Sequence, residues 1–250
     1  MKLAAAQIRS APGDIDKNLE KHVDVIQLAV SQGAEGIFFP ELSLTGYEPT
    51  LADRLALSQN DRRLDRFQAL SDANGIFIGV GAPTRSEGGV QISMLAFQPG
   101  LDRKTYSKQM LHSDEVAFFT SGNQQLVLKL GDKVLAPAIC YESLQPSHAE
   151  KAAELGANLY LASVAKSEQG VKAAYGHYPA IAKQHAMAVL MANGVGPAGN
   201  FLAAGQSAVW DRAGKLVCSA DAFEEALVMF DTSTEEASLI RLTLTTPEST

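Results

Sequence analysis

Short apolar runs alternate with amphipathic stretches through the first third of the chain, and this alternation restricts the fold more than any other feature of the sequence. Residues 3–7, 36–39 and 76–82 are strand-like runs bounded by turn residues. Between the first two, Pro12-Gly13-Asp14 breaks the chain and Asp14 stands where a helix N-cap is needed. Leu19, Val23, Ile26 and Val30 then recur three and four residues apart, on one helical face, and Gly33 provides a left-handed exit. A second helical pattern runs through Phe67 and Leu70. Strands that alternate with helices predict an α/β fold, with helices covering the outer faces of sheets.

The middle of the chain reads differently. Residues 91–97, 105–108, 125–130 and 134–139 are strand-like and separated by turns, which predicts antiparallel pairing. Helices are expected at 146–155 and around 179–187, the second with Pro179 in its first turn, where the missing N–H costs nothing. Strands are expected at 159–162, 189–193, 206–210, 215–219 and 226–230, with residues 211–214 as a hairpin turn and a tail from Thr245 without a packing pattern. No linker or internal repeat divides residues 1–250, so one domain is expected.

Hydrophobic residues make up 46% of the chain and charged residues 20%, the balance of a folded protein. With 21 basic against 28 acidic residues the net charge is −7, which removes the attraction that drives binding to a phosphate backbone. No apolar run reaches the roughly 20 residues that cross a bilayer, and the first residues lack a secretory pattern. A cytoplasmic protein without nucleic-acid or membrane partners is the resulting expectation. Cys140 and Cys218 are too few for a disulfide framework and are expected as free thiols.

Three residues end strand-like runs with chemistry-bearing groups. Cys140 follows the run at 134–139, at the carboxyl end where α/β sheets place ligands. It is a nucleophile if a base takes its proton, and an ordinary buried cysteine otherwise. Glu41 interrupts the apolar string Ile37-Phe38-Phe39-Pro40; there it is either a general base of raised pKa or a carboxylate capping a loop. Lys108 ends the run at 105–108 and is either a stabiliser of developing negative charge or a solvated lysine. Cys218 reads only as a packing residue.

The strings FPELSLTGYEP around Glu41, YSKQMLHSDEVAFFTSG around Lys108 and PAICYES around Cys140 resemble, in order and separation, the three catalytic blocks of the nitrilase superfamily, the carbon–nitrogen hydrolases. The opening LAAAQIRSAPGDIDKNL, the strand GIFIGVGAP and the segment LMANGVG extend the similarity over nearly the whole chain. The resemblance implies a four-layer αββα sandwich of two mixed sheets flanked by helices. It implies Cys140 as nucleophile, Glu41 as general base, and Lys108 with the Tyr141 backbone N–H as stabilisers of the tetrahedral intermediate. Glu115 matches a second glutamate that positions substrate and lysine. The implied reaction is cofactor-free cleavage of a small carboxamide through a cysteine acyl-thioester, releasing ammonia or an amine. Nitrile hydrolysis or acyl transfer at the same site is the alternative, as is a non-catalytic binding member. Tyr141-Glu142-Ser143, where nitrile-cleaving members carry tryptophan and glutamate, favours amides.

The resemblance also implies a homodimer or higher homo-oligomer, although Ile181-Ala182 and Gln184-His185 depart from the usual arginine-alanine and glutamate-asparagine pairs. Residues 163–169 are expected to border the pocket. His177 and His185 are expected on the surface or in loops, without metal-ligand spacing, and no glycine-rich phosphate motif is present, so no metal or cofactor is implied.

Overall fold

The computed structural model describes residues 1–242. Its first five strands are β1 (Lys2–Gln7), β2 (Gly36–Phe38), β3 (Phe77–Ser86), β4 (Gly89–Phe97) and β5 (Lys104–Ser107). Then come β6 (Leu128–Leu130), β7 (Lys133–Ile139), β8 (Leu159–Val164), β9 (Ala188–Asn193), β10 (Val195–Ala198), β11 (Phe201–Ala204), β12 (Ala208–Trp210), β13 (Leu216–Ser219), β14 (Ala226–Asp231) and β15 (Glu236–Arg241). The helices are α1 (Ile15–Ser31), the single turn α2 (Ala52–Leu55), α3 (Asp65–Asn74), α4 (Pro146–Glu154) and α5 (Glu168–His185).

One sheet has seven strands in the order β15-β14-β1-β2-β3-β4-β5, another has six in the order β13-β12-β9-β8-β7-β6, and β10-β11 form a separate hairpin. Both large sheets are mixed: β1-β2-β3 and β7-β8-β9 run parallel, while β3-β4-β5 and β6-β7 are antiparallel. Because side chains alternate along a strand, each sheet buries two faces. Leu3, Phe38 and Met94 of the first sheet pack against Leu135, Leu161 and Leu190 of the second. On the outer face of the first sheet Ala4, Ile37 and Val80 meet Ile26 of α1 and Phe67 of α3. On the outer face of the second, Ala138, Tyr160 and Met191 meet Ala149 of α4 and Ile181 of α5. Three apolar interfaces between four layers make the αββα sandwich that the resemblance implies. Each fully buried large apolar side chain contributes about 1.5–3 kcal/mol to it.

Local signals hold where they are strong. The Asp14 side chain accepts from Lys17 N at 3.1 Å and caps α1, and Gly33 leaves that helix at φ 78°. Elsewhere the structure corrects the expectation. The helix expected around Pro179 begins at Glu168, capped by Ser167, so Pro179 lies in its interior and His177 and His185 ride on it rather than in loops. Proline removes one helical hydrogen bond there, but Ala174, Tyr178, Ile181 and Ala182 are buried on either side of it and hold the helix to the sheet. Strand β6 begins at Leu128 rather than 125, and β12 at Ala208 rather than 206. The β10-β11 hairpin is built from alanine, glycine and proline in good part, and β15 from charged and small residues, so neither carries a strand signature. The tail expectation from Thr245 lies outside the described residues.

Packing brings the carboxyl ends of strands from both sheets to one edge. Ser163 Oγ, on β8, donates to Phe39 O, just past β2, at 2.8 Å across the sandwich. The candidate residues leave the sheets at this edge.

Candidate active site

Each of the three expected side chains projects from a backbone that is tied down. Beyond β2, Phe39 N donates to Gly79 O and Leu44 N to Gly81 O, both at 2.9 Å. Leu42 takes a left-handed φ of 53° beside Glu41. The turn runs so close to β3 that a Cβ on Gly81 would stand 2.2 Å from Pro40 O and 2.6 Å from Leu42 N, so only glycine fits. From α1, Asn18 Nδ2 donates to Leu44 O at 3.1 Å, and His22 Nε2 pairs with Ser43 Oγ at 2.9 Å. Lys108 follows β5 directly; its N–H donates to Ile92 O at 2.8 Å and its carbonyl accepts from Gly122 N at 2.7 Å. Cys140 opens a short 3-10 turn, Cys140–Leu144, at φ 47°, a strained value for a residue with a side chain.

The side chains converge. Lys108 Nζ donates to Glu41 Oε1 at 2.8 Å and to Glu115 Oε1 at 2.6 Å, and the lysine is fully buried rather than solvated. Glu115 Oε1 also accepts from Tyr47 OH at 3.1 Å, and its Oε2 from His112 N at 2.7 Å. Glu41 Oε2 is buried without a hydrogen-bond partner of good geometry, yet the Cys140 thiol is near enough to act on this carboxylate as a donor. The half-buried Cys140 sulfur donates to Ala165 O at 3.7 Å.

Burial pushes the Glu41 pKa up to about 7; Lys108 opposes the rise, but that ammonium is shared with Glu115, whose charge adds to it. Burial alone disfavours the Lys108 ammonium, and Glu41, Cys140 and Glu115 outweigh it, holding the lysine protonated well above its ordinary range. Burial and then the Glu41 charge push the Cys140 thiol up to about 11, against the pull of Lys166 and Lys108. The arrangement therefore holds a carboxylate poised near neutrality, a thiol beside it and a permanent ammonium. That set can move a proton off sulfur and stabilise an oxyanion. The Tyr141 N–H lies in the opening of the 3-10 turn, where no helical acceptor exists for it, next to the sulfur.

The site opens into a cavity of about 380 Å³ lined by Tyr47, Tyr141, Leu144, Phe201, Lys166 and Ser167, together with Cys140 and Glu115. Of residues 163–169, expected to border the pocket, Ala165, Lys166 and Ser167 line it. Cys218 is half-buried against the core between the sheets, remote from this lining.

Two functional positions escape sequence reasoning. Glu142 is fully buried: its Oε1 accepts from Ile139 N at 2.8 Å and Tyr106 OH at 2.7 Å, and its Oε2 from Gln109 N at 2.7 Å and Met110 N at 3.3 Å. One carboxylate thereby ties the residue before Cys140 to the two after Lys108. Tyr106 in turn pairs with His148 Nε2 at 2.7 Å, whose Nδ1 meets Tyr160 OH at 2.7 Å. The acidic residue two places after Cys140 was the available signal. Lys166 is the other position, with Nζ 3.8 Å from the Cys140 sulfur; nothing in the string Ser163-Val-Ala-Lys166 sets it apart.

Residues 2–241 match the Carbon-nitrogen hydrolase family. Among solved structures, an amidase from Nesterenkonia sp. is 26% identical, superposes with a TM-score of 0.81 and matches over 97% of this chain and 90% of that one. A cysteine-to-alanine mutant of the Nesterenkonia sp. AN1 amidase, at 26% identity and a TM-score of 0.80 over 97% of this chain and 90% of that one, is in complex with butyramide. A third, at the same identity and TM-score over 98% of this chain and 93% of that one, shows acrylamide added at the active-site cysteine. Among curated proteins, the glutamine-dependent NAD(+) synthetases of Thermotoga maritima and Aquifex aeolicus are 26% and 27% identical over 99% and 97% of this chain. The chain spans less than half the length of these relatives, 44% of each.

Proposed function

Since the chain belongs to the carbon–nitrogen hydrolase family, we propose that it hydrolyses the carbon–nitrogen bond of a small carboxamide through an acyl-thioester on Cys140. The observation that carries this reading is the buried Lys108 ammonium held by Glu41 and Glu115 beside the sulfur, behind a cavity that Cys140 and Glu115 line. Tyr47, Leu144 and Phe201 give the cavity an apolar wall for a short acyl chain, and a cysteine-to-alanine mutant of the amidase that is similar in structure is in complex with butyramide.

In this mechanism Glu41 accepts the thiol proton as sulfur attacks the carbonyl carbon. Burial holds the thiol pKa above that of the carboxyl, so the transfer is uphill before the substrate contributes. Part of that cost is offset as charge moves onto the substrate oxygen, which the Lys108 ammonium and the Tyr141 N–H stabilise. The carbon–nitrogen bond breaks as Glu41 returns the proton to the leaving nitrogen. Glu41 then takes a proton from a water that attacks the acyl carbon, which releases the acid and frees the sulfur.

A second reading is favoured by the curated relatives, whose names make glutamine the amide they depend on: glutamine is then the substrate and ammonia the product. Ammonia release from a panel of primary amides that includes butyramide and glutamine tests both. Cys140→Ala is expected to abolish release while the protein stays folded; full turnover by that variant would end the thiol mechanism.

A further inference from the structure

Lys166 has none of the features of a surface lysine. It follows β8 and is 5% exposed, and its backbone is gripped on both sides. Lys166 N donates to Asn193 Oδ1 at 2.8 Å, and Lys166 O accepts from Asn193 Nδ2 at 3.1 Å and from Ala204 N at 2.9 Å. Asn193 is itself fully buried, with Nδ2 also donating to Gly205 O at 2.8 Å and its N–H donating to Ser207 Oγ at 2.9 Å. From this clamp the lysine stem passes over the first turn of α5 at Gly170, where an added Cβ would come within 3.2 Å of Lys166 Cβ. The stem ends with Nζ 3.5 Å from Cys140 O and 3.8 Å from Cys140 Sγ, and among the described residues both partners of Nζ belong to Cys140.

A buried ammonium without a carboxylate is costly, and a folded chain retains one where its charge has work to do at the atoms it touches. The atom in question is sulfur. Lys108 already faces two carboxylates, and once the thiol proton has gone to Glu41 the thiolate and Glu115 still share that one ammonium. Lys166 supplies the missing positive charge from the opposite side.

We propose that Lys166 is a catalytic residue of this site, its ammonium stabilising the Cys140 sulfur as thiolate whenever the sulfur carries neither a proton nor the acyl carbon. The proposal rests on the amidase reading. In acylation the S–H bond breaks, its proton goes to Glu41, and the sulfur electron pair forms the S–C bond as the C–N bond breaks and the nitrogen takes that proton. In deacylation the S–C electron pair returns to the sulfur beside Lys166. Of the groups that lower the thiol pKa, Lys166 is foremost, ahead of Lys108.

The ionisable groups around the sulfur are Glu41 beyond β2, Lys108 beyond β5, Lys166, and the phenols of Tyr47 and Tyr178; His112, Asp114, Glu115 and Tyr141 share its cavity, and His177 on α5 faces Lys166. Burial raises both phenols and lowers His177, so all three are neutral between pH 7 and 9. In that window the rate at which iodoacetamide alkylates Cys140 follows its thiolate fraction. Peptide mass mapping separates this label from Cys218.

Lys166→Met is expected to slow alkylation about tenfold or more at every pH, the effect of losing an opposite charge this close. Lys166→Arg is expected to stay within about threefold of wild type. For a neutral amide, Lys166→Met lowers kcat about tenfold or more and leaves KM nearly unchanged. Lys166→Gln is read in the same way should the methionine variant not fold, with circular dichroism as the check. Wild-type alkylation in the uncharged variants, or a loss in Lys166→Arg as large as theirs, overturns the proposal. Slowed alkylation in variants of a wild type that cleaves no amide leaves the lysine–sulfur coupling standing and sinks the amidase reading.

Discussion

Glu41→Gln separates what the site costs the fold from what it contributes to chemistry. The substitution keeps the shape of the side chain and removes the one titration that matters. In the folded protein the carboxyl is raised from 4.5 to about 7, because burial and the neighbouring Glu115 outweigh the share of Lys108 that Glu41 receives. A group whose pKa is raised by folding stabilises the native state fully below its unfolded value and loses that contribution as pH climbs through the folded value. Wild type therefore gives up about 3 kcal/mol between about pH 4.5 and about pH 8, from a rise of about 2.5 pH units at about 1.4 kcal/mol each. The glutamine variant does not titrate there. Urea unfolding of both proteins at pH 5, 6, 7 and 8 is expected to show a stability difference that grows in favour of the variant, to about 3 kcal/mol at pH 8. Ammonia release by the same variant is expected to be lost. A variant equal to wild type at every pH, or less stable above pH 7, would show that the Lys108 ion pair dominates desolvation and that Glu41 is an ordinary low-pKa carboxylate.

The remaining expectations concern its neighbours. If Glu41 must be ionised to act, kcat/KM falls about tenfold per pH unit below about pH 7, and a profile flat down to pH 5 contradicts this. Lys108→Ala is expected to lower kcat about 10²- to 10³-fold, and by leaving Glu41 and Glu115 without their ammonium to cost about 3–5 kcal/mol in urea unfolding. Glu142→Gln places an NH2 group against donors that now point at carboxylate oxygen. It is expected to cost about 2–3 kcal/mol and to lower kcat more than it changes KM, since Glu142 touches the backbone on both sides of the site and no part of the cavity lining.

The alternation of apolar runs and amphipathic stretches was enough to place the strands other than β10, β11 and β15, the first helix with its Asp14 cap, and the antiparallel middle, because those patterns are written at separations of two to four residues. The strings around Glu41, Lys108 and Cys140 likewise carried the family, since order and separation along a chain are linear properties. What a linear pattern does not hold is which strand ends face each other. Lys108 meets Glu41 across 67 residues and Ser163 meets Phe39 across 124, contacts that exist only once two sheets have closed on a common apolar core. Tertiary packing then assigned roles that residue type had left open: Glu41 and Glu115 hold a strand-end lysine as a permanent cation against its burial, burial lifts one glutamate toward neutrality, and a packed face carries α5 through Pro179. Charge and hydrogen-bonding capacity belong to the side chain, but the dielectric around it and the partners within 3 Å belong to the tertiary structure. This is why the roles of Glu142, which braces the backbone on both sides of the site, and of Lys166, which reaches the sulfur, show only in the folded structure.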